Sequence, residues 1–356
     1  NLILMVAHGE GQKDYKASAD RWSELEHEVS SMTNFIRTYW NSKNDFITIN
    51  HLYQEFQNYF KSDEDKMSLI NSFIEGLEEC LETYKLLTVN DQMRNEYESS
   101  NTSDDTKSII EIIFRLHLRG NKTFYPLIIA INNHKKTTES EREKLTHFTL
   151  EFLESIYYYC SLLGVNPNSY EKKYAEFGVH IHSEQNYKAI KDYLKKEFKK
   201  LQGNLNLKTD NLKDAFHERS FSVNEAKSVL FKVEIQNWKN SIARIPLDSG
   251  KIHLEHIMPK KLSSSSWPGI SDHLHKTNLN KFGNLLLLSE KLNTSIQNSS
   301  FKSKVLEFNK SENKDTLRKF LKYLKDSSIT DKWTPKQIEV RTNNLFDAVN
   351  KAFSFD

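Results

Sequence analysis

The chain has 356 residues, enough for two or three domains. Its 50 Lys and Arg nearly balance 48 Asp and Glu, but 18 of those basic and 11 of those acidic residues lie from Gly250 onward, so that stretch carries about +7 and the rest about −5. Two cysteines, Cys80 and Cys160, exclude a disulfide framework and suit a reducing cytoplasm, and no run of roughly 18 apolar residues exists for a membrane helix.

Only 10 Gly and 6 Pro, with Lys, Glu, Leu, Phe and Tyr abundant, predict a mainly α protein. Asn1 to Ala7 is too short for a signal peptide and lacks a basic leader. With no initiator Met, the chain reads as the C-terminal portion of a longer protein. From Trp22 to Phe60 apolar residues recur at helical spacing across a break at Asn41 to Asp45, predicting paired helices. Asp63 to Tyr97 reads as one further helix, with Leu69, Phe73, Leu77 and Leu81 on one face. Glu98 to Thr106 is a loop, Ile109 opens another helix, and Pro126 breaks it. Lys135 to Glu141 is polar, and Leu145 to Leu163 is a long helix whose aromatics belong to a core rather than to base stacking.

A helix from about Gln185 to Lys200 buries Tyr187, Ile190, Leu194 and Phe198 and crowds its other face with lysines. Such a face is ordinarily solvated; a track for a nucleic-acid backbone is the alternative. Gln202 to Asp210 is a connection, dividing a helical module (1–205) from a C-terminal domain (206–356). No Gly-rich phosphate loop occurs before it. Residues 223 to 239 form a helix expected to pack beneath the strands that follow.

The chemistry concentrates between Lys251 and Lys304. A short alternating run ends in Glu255-His256, Pro259 stops it, Asn284 to Leu288 is a second strand, Asn293 follows, and a helix starts near Ser299. Hydrolysis of a phosphodiester needs a base for water, a hard cation and oxygen ligands for that cation. His256 is suited to the first task, Glu255 and Asn293 to the last, with Mg²⁺ (or Mn²⁺) as the cation. Neighbours on a regular strand point to opposite faces, so the strand must twist or end at this pair. Phe301, Val305 and Phe308 mark the buried stripe of that helix, which turns Lys304 inward and Lys302 outward.

Glu255-His256-Ile257-Met258-Pro259, Gly283-Asn284-Leu285, Asn293, Trp267 and the ending from Trp333 to Phe353 with Arg341 resemble the HNH (ββα-metal) nuclease domain of GmrSD-type restriction endonucleases, including the related phosphorothioate-dependent Ssp-type enzymes. The helix before the first strand fits that resemblance too. It implies an HNH domain embedded in helices, with His256 as general base, Glu255 and Asn293 as metal ligands and Asn284 fixing the loop; helical phase, not the resemblance, puts Lys304 at the reacting phosphate. The third HNH position is Asn rather than His, which many such enzymes tolerate. Phe35 to Trp40 and Ile47 to Phe56, with the opening Asn1 to Leu4, resemble the end of the module preceding that domain, so a sensing module upstream in cis is implied.

The expected function is metal-dependent DNA nicking or cleavage in a modification-sensing, anti-phage restriction system. Lys302, Arg244 and Lys251 are the expected contacts to DNA phosphates, though ordinary exposed cations are as compatible with the pattern for Arg244 and Lys251. Two other functions fit the pattern: a catalytically inactive DNA-binding adaptor, and an RNA endonuclease. A structural zinc site of His253, His256, His273 and His275, or plain strand residues with no site, are the remaining readings.

Overall fold

Apolar residues spaced three and four apart close into helices along most of the chain. The structure, a computed structural model, describes residues 12–61, 66–234, 252–263, 266–310 and 317–355. The helices up to residue 132 are α1 (Gln12–Glu28), α2 (Met32–Lys43), α3 (Leu52–Lys61), α4 (Lys66–Thr88), α5 (Asn90–Glu98), α6 (Asp104–Leu118) and α7 (Tyr125–Asn132). Next come α8 (Glu139–Leu163), α9 (Glu171–Ser183), α10 (Tyr187–Gly203), α11 (Thr209–Glu218) and α12 (Val223–Glu234). Strand β1 (Ile252–His256), helix α13 (Asp272–Asn278) and strand β2 (Leu285–Ser289) follow, then α14 (Glu290–Ile296), α15 (Phe301–Phe308), α16 (Arg318–Asp326) and α17 (Pro335–Ala352). The protein is mainly α, as the composition predicts; among the described residues β1 and β2 form the only sheet.

Several helix boundaries differ from the sequence reading: α6 starts at Asp104 rather than Ile109, and Pro126 sits in the first turn of α7 rather than breaking a helix. Two more differ for local reasons. The helix expected over 63–97 is two, α4 and α5, parted at Val89, whose backbone is extended (φ −107°, ψ 109°). The β-branched pair Thr88-Val89 lies at the break, and Asp91 follows in the first turn of α5, where a carboxylate suits the helix dipole. Helix α8 starts six residues before Leu145, because Thr138 and Glu141 cap it: the Glu141 carboxylate accepts from the Thr138 N–H (2.8 Å), and the Thr138 hydroxyl accepts from the Glu141 N–H (3.3 Å).

The chain divides into two compact units. The first takes the described residues up to Ile110, with Lys122–Leu153 and Pro167–Lys200. At its centre α7, apolar on every side and buried from Tyr125 to Ile131, is packed by α2, α4 and α9. A helix without a polar face requires such enclosure.

The second unit takes Glu111–Asn121, Glu154–Asn166 and the described residues from Leu201 onward. Beneath the sheet, α12 packs on both strands, as expected of the helix preceding them, of which residues 235–239 lie outside the described residues. Phe114 meets Phe231 edge-on at 5.5 Å, and Tyr158 stacks on Phe353 at 4.2 Å. The Glu154 carboxylate is buried between Arg115 Nε (2.5 Å), Arg115 Nη2 (3.2 Å) and Lys232 Nζ (2.7 Å). Burial alone would raise its pKa, but the two cations overcome that and hold it at about 2. On the sheet's other face Leu286 and Leu288 join Phe301, Phe308, Leu292 and Trp333 in one core.

Candidate active site

The pairing of β1 with β2 is antiparallel, with His256 opposite Leu285, Glu255 opposite Leu286 and His253 opposite Leu288. Residues directly opposite share a face. Glu255 therefore lies on the Leu286 and Leu288 side, towards the core that α14 and α15 build, and His256 lies on the Leu285 side. β2 is buried on both faces, which is why four leucines run consecutively rather than alternating with polar residues. The strand ends at His256, whose pairing with Leu285 still puts the imidazole on the face opposite Glu255.

Asn284 fixes what comes next. Its amide oxygen accepts from Met258 N–H (2.7 Å) and from Trp333 Nε1–H (3.3 Å), while its amide nitrogen donates to Met258 O (3.0 Å) and Leu279 O (2.9 Å). Fully buried and fully bonded, this one side chain joins the turn after His256 to the loop before β2. Gly283 beside it lies against α17: a Cβ there would come within 2.0 Å of Ile338 O, so no side chain fits. Gly283 N–H donates to Thr342 Oγ1 (3.0 Å), and Arg341 donates to Gly283 O and Leu285 O, both at 2.8 Å. Arg341 is buried and also reaches Glu234 Oε1 (3.4 Å). Helix α17, started by Pro335 and a capping box between Thr334 and Gln337, is thus the platform for the Gly-Asn pair.

Lys304 is wholly buried, in phase with Phe301 and Phe308 on α15, whereas Lys302 is exposed. The Lys304 ammonium donates to Glu255 Oε1 (2.5 Å) and to the backbone oxygen of His256 (3.0 Å). Burial pushes the lysine's pKa down and Glu255 opposes that push. Helix α14, capped by the Ser289 hydroxyl, packs on β1 and β2. It carries Asn293, whose amide oxygen is buried without a hydrogen-bond partner. A buried acceptor left unbonded costs about 1–3 kcal/mol, so this oxygen is open to a ligand.

The His256 ring is buried, with Nε2 3.0 Å from Asn280 Oδ1. Its pKa lies below the ordinary imidazole value, mainly through burial and further through the positive Lys260 and Lys304 and through His275, against the Asn280 hydrogen bond. A neutral ring near pH 7 is the form that takes up a proton. His275 donates from Nε2 to Pro259 O (2.8 Å), and His273 is exposed. Among the described residues no group of three or more His, Cys, Asp or Glu side chains converges on a point, so the four-histidine zinc arrangement has no ligand cluster. Arg244 and Lys251 lie outside the described residues. The residue that the sequence reading missed is Asn280: it stands in an aperiodic loop 24 residues from its imidazole, and only its closeness to Gly283-Asn284 marks it.

Residues 201–348 match the family model described as GmrSD restriction endonucleases, C-terminal domain. This stretch is similar to the C-terminal domain of the GmrSD restriction endonucleases. The match spans every element of the candidate site, from α11 and α12 through β1, β2, α14 and α15 to most of α17. A restriction endonuclease domain acts on DNA. No curated protein matches the chain. Among the described residues no helix is long and apolar enough to cross a membrane.

Proposed function

We propose that the GmrSD-type domain is an HNH (ββα-metal) endonuclease that nicks or cleaves DNA with Mg²⁺ (or Mn²⁺), in a modification-sensing restriction system directed at phage or otherwise modified DNA, phosphorothioate DNA among the candidates. The observation that carries this reading is the orphaned amide oxygen of Asn293 on a helix packed against β1, the strand that ends in a carboxylate and a buried imidazole. An amide oxygen and a carboxylate oxygen are the ligand types a hard cation takes, and Lys304 leaves one oxygen of Glu255 to serve.

In this reading Glu255 and Asn293 hold the cation, which when bound neutralises charge on the phosphate and the leaving oxygen. His256 takes the proton from the attacking water as the new P–O bond forms and the P–O bond to the leaving strand breaks. Lys304 aims the Glu255 carboxylate and adds positive charge beneath the reacting phosphate. Asn284 keeps the turn after His256 in place, so that the imidazole meets its water without rearrangement. Lys302, Arg244 and Lys251 contact backbone phosphates and set register rather than sequence. The first unit is then the helical scaffold between this domain and a sensing module in cis, and the whole acts in the cytoplasm.

Supercoiled plasmid incubated with the protein and Mg²⁺ tests the reading, with parallel samples in EDTA and with an RNA of matched length. Nicked or linear plasmid in Mg²⁺ alone is expected. DNA binding without cleavage under every condition would replace the enzyme by an adaptor, and cleavage of RNA alone would change the substrate.

A further inference from the structure

We propose that Asn280 is a positioning residue: its amide oxygen holds the proton of His256 on Nε2 and so leaves Nδ1 as the nitrogen that receives the proton of water. This rests on His256 acting as the base of the proposed nuclease. An amide oxygen has no hydrogen to give, so the 3.0 Å contact between Asn280 Oδ1 and His256 Nε2 is made by an Nε2–H donor. In a neutral imidazole the other nitrogen then carries the lone pair. The two ring nitrogens point in divergent directions, so the same hydrogen bond that selects the tautomer also aims Nδ1 away from Asn280.

The loop around Asn280 is built to hold that bond. Leu279 N–H donates to His275 O (2.9 Å), Leu279 O accepts from Asn284 Nδ2 (2.9 Å), and Lys281 N–H donates to Asn278 O (3.3 Å). Asn280 is itself exposed, yet its neighbours on both sides are tied to buried or helical groups. The Asn284 amide that fixes Leu279 also fixes Met258, two residues after His256, so both partners of the contact are tied to one buried side chain. An exposed asparagine contributing only solubility has no need of such a frame. The groups around the ring are Lys260 after β1, His275 on α13 and Lys304 on α15, with Glu255 beside it on β1; none of the two lysines can accept a hydrogen from Nε2.

Three substitutions separate positioning from mere structure. Asn280→Ala removes the acceptor, Asn280→Asp keeps one, and Asn280→Lys replaces it with a donor. On plasmid DNA with Mg²⁺, Asn280→Ala is expected to lower kcat about 10- to 100-fold, the usual cost of losing an outer partner of a site histidine, with KM unchanged. Asn280→Asp should recover most of that loss, and Asn280→Lys should recover none. Long-range ¹H–¹⁵N spectra of the whole protein, with His256 assigned by its absence from His256→Ala, should show hydrogen on Nε2 and a bare Nδ1 in the wild type and in Asn280→Asp. Wild-type protein with hydrogen on Nδ1, undiminished kcat in Asn280→Ala, or an Asp variant as slow as the Ala variant would each overturn the proposal. Wild-type protein that nicks nothing sinks the nuclease reading and the catalytic part of this proposal with it, and the spectrum alone then decides whether Asn280 sets the tautomer.

Discussion

Two carboxylates of the second unit, the buried Glu154 and the half-buried Glu255, are held by cations, and they end in opposite conditions. Both oxygens of Glu154 are taken, by Arg115 and Lys232, and its side chain is 1% exposed. Glu255 gives one oxygen to Lys304 and retains 13% exposure, on a strand packed by the helix that carries the unbonded amide oxygen of Asn293. A saturated cluster has nothing left to offer a ligand and serves the fold. A cluster held firmly by one partner and left open on its other oxygen is suited to chemistry, because the fixed ammonium sets where the free oxygen points.

The largest expected effect breaks the saturated side. Glu154→Gln leaves Arg115 and Lys232 without their buried counter-charge and should cost about 3–5 kcal/mol in chemical denaturation, with specific activity of the folded fraction unchanged. The acid limb gives the same answer independently. Glu154 has a folded pKa of about 2, below its value of 4.5 when unperturbed, so its contribution is fully present above about pH 4.5 and is lost as pH falls towards 2. That contribution is about 3 kcal/mol on the order-of-magnitude conversion of 1.36 kcal/mol per pH unit, and Glu154→Gln should flatten this limb by a comparable amount. Stability equal to wild type at pH 7 would show that the cluster is not the scaffold element described.

The open side should respond in activity rather than stability. Nicking should vanish in EDTA, and Asn293→Ala, which removes the orphaned oxygen, should lower it at least about tenfold, the low end for lost partners of a metal site. Raised Mn²⁺ should restore part of that loss, since carboxylate and carbonyl oxygens suit this ion as well as Mg²⁺. Lys304→Met keeps most of the buried volume while freeing the Glu255 carboxylate. Turnover should fall about tenfold with DNA affinity nearly unchanged, and a loss in affinity alone would place Lys304 outside the reacting centre. The smallest effect belongs to exposed Lys302. Replacing it with Ala should weaken DNA binding and reduce the slope of log K against log salt by about 0.9, the value of one phosphate contact.

Much of the site was legible before any coordinates. Glu255-His256-x-x-Pro is local, Gly283-Asn284 names a backbone approach and its staple in adjacent positions, and Lys304 follows from its phase with Phe301 and Phe308. Glu154 was not legible, because it lies 39 residues from Arg115 and 78 from Lys232, and nothing in a helical pattern announces which polar residue will be enclosed. Asn280 was missed for a related reason: loops carry no periodicity, so a loop residue is recognised by what it touches. That Lys304 would meet Glu255 was likewise out of reach, since helical phase gives a direction and not a partner. The early start of α8 is different, for Thr138-x-x-Glu141 is a readable capping box inside a stretch read only as polar.

The central claim is that the open cluster is a hydrolytic site worked by one imidazole. Nicking of supercoiled plasmid by wild-type protein beside His256→Ala, in Mg²⁺ and with equal helical content by circular dichroism, tests it most directly. The account predicts a loss of at least about a hundredfold, the low end of what a general base contributes. Nicking by pure His256→Ala at the wild-type rate would contradict it.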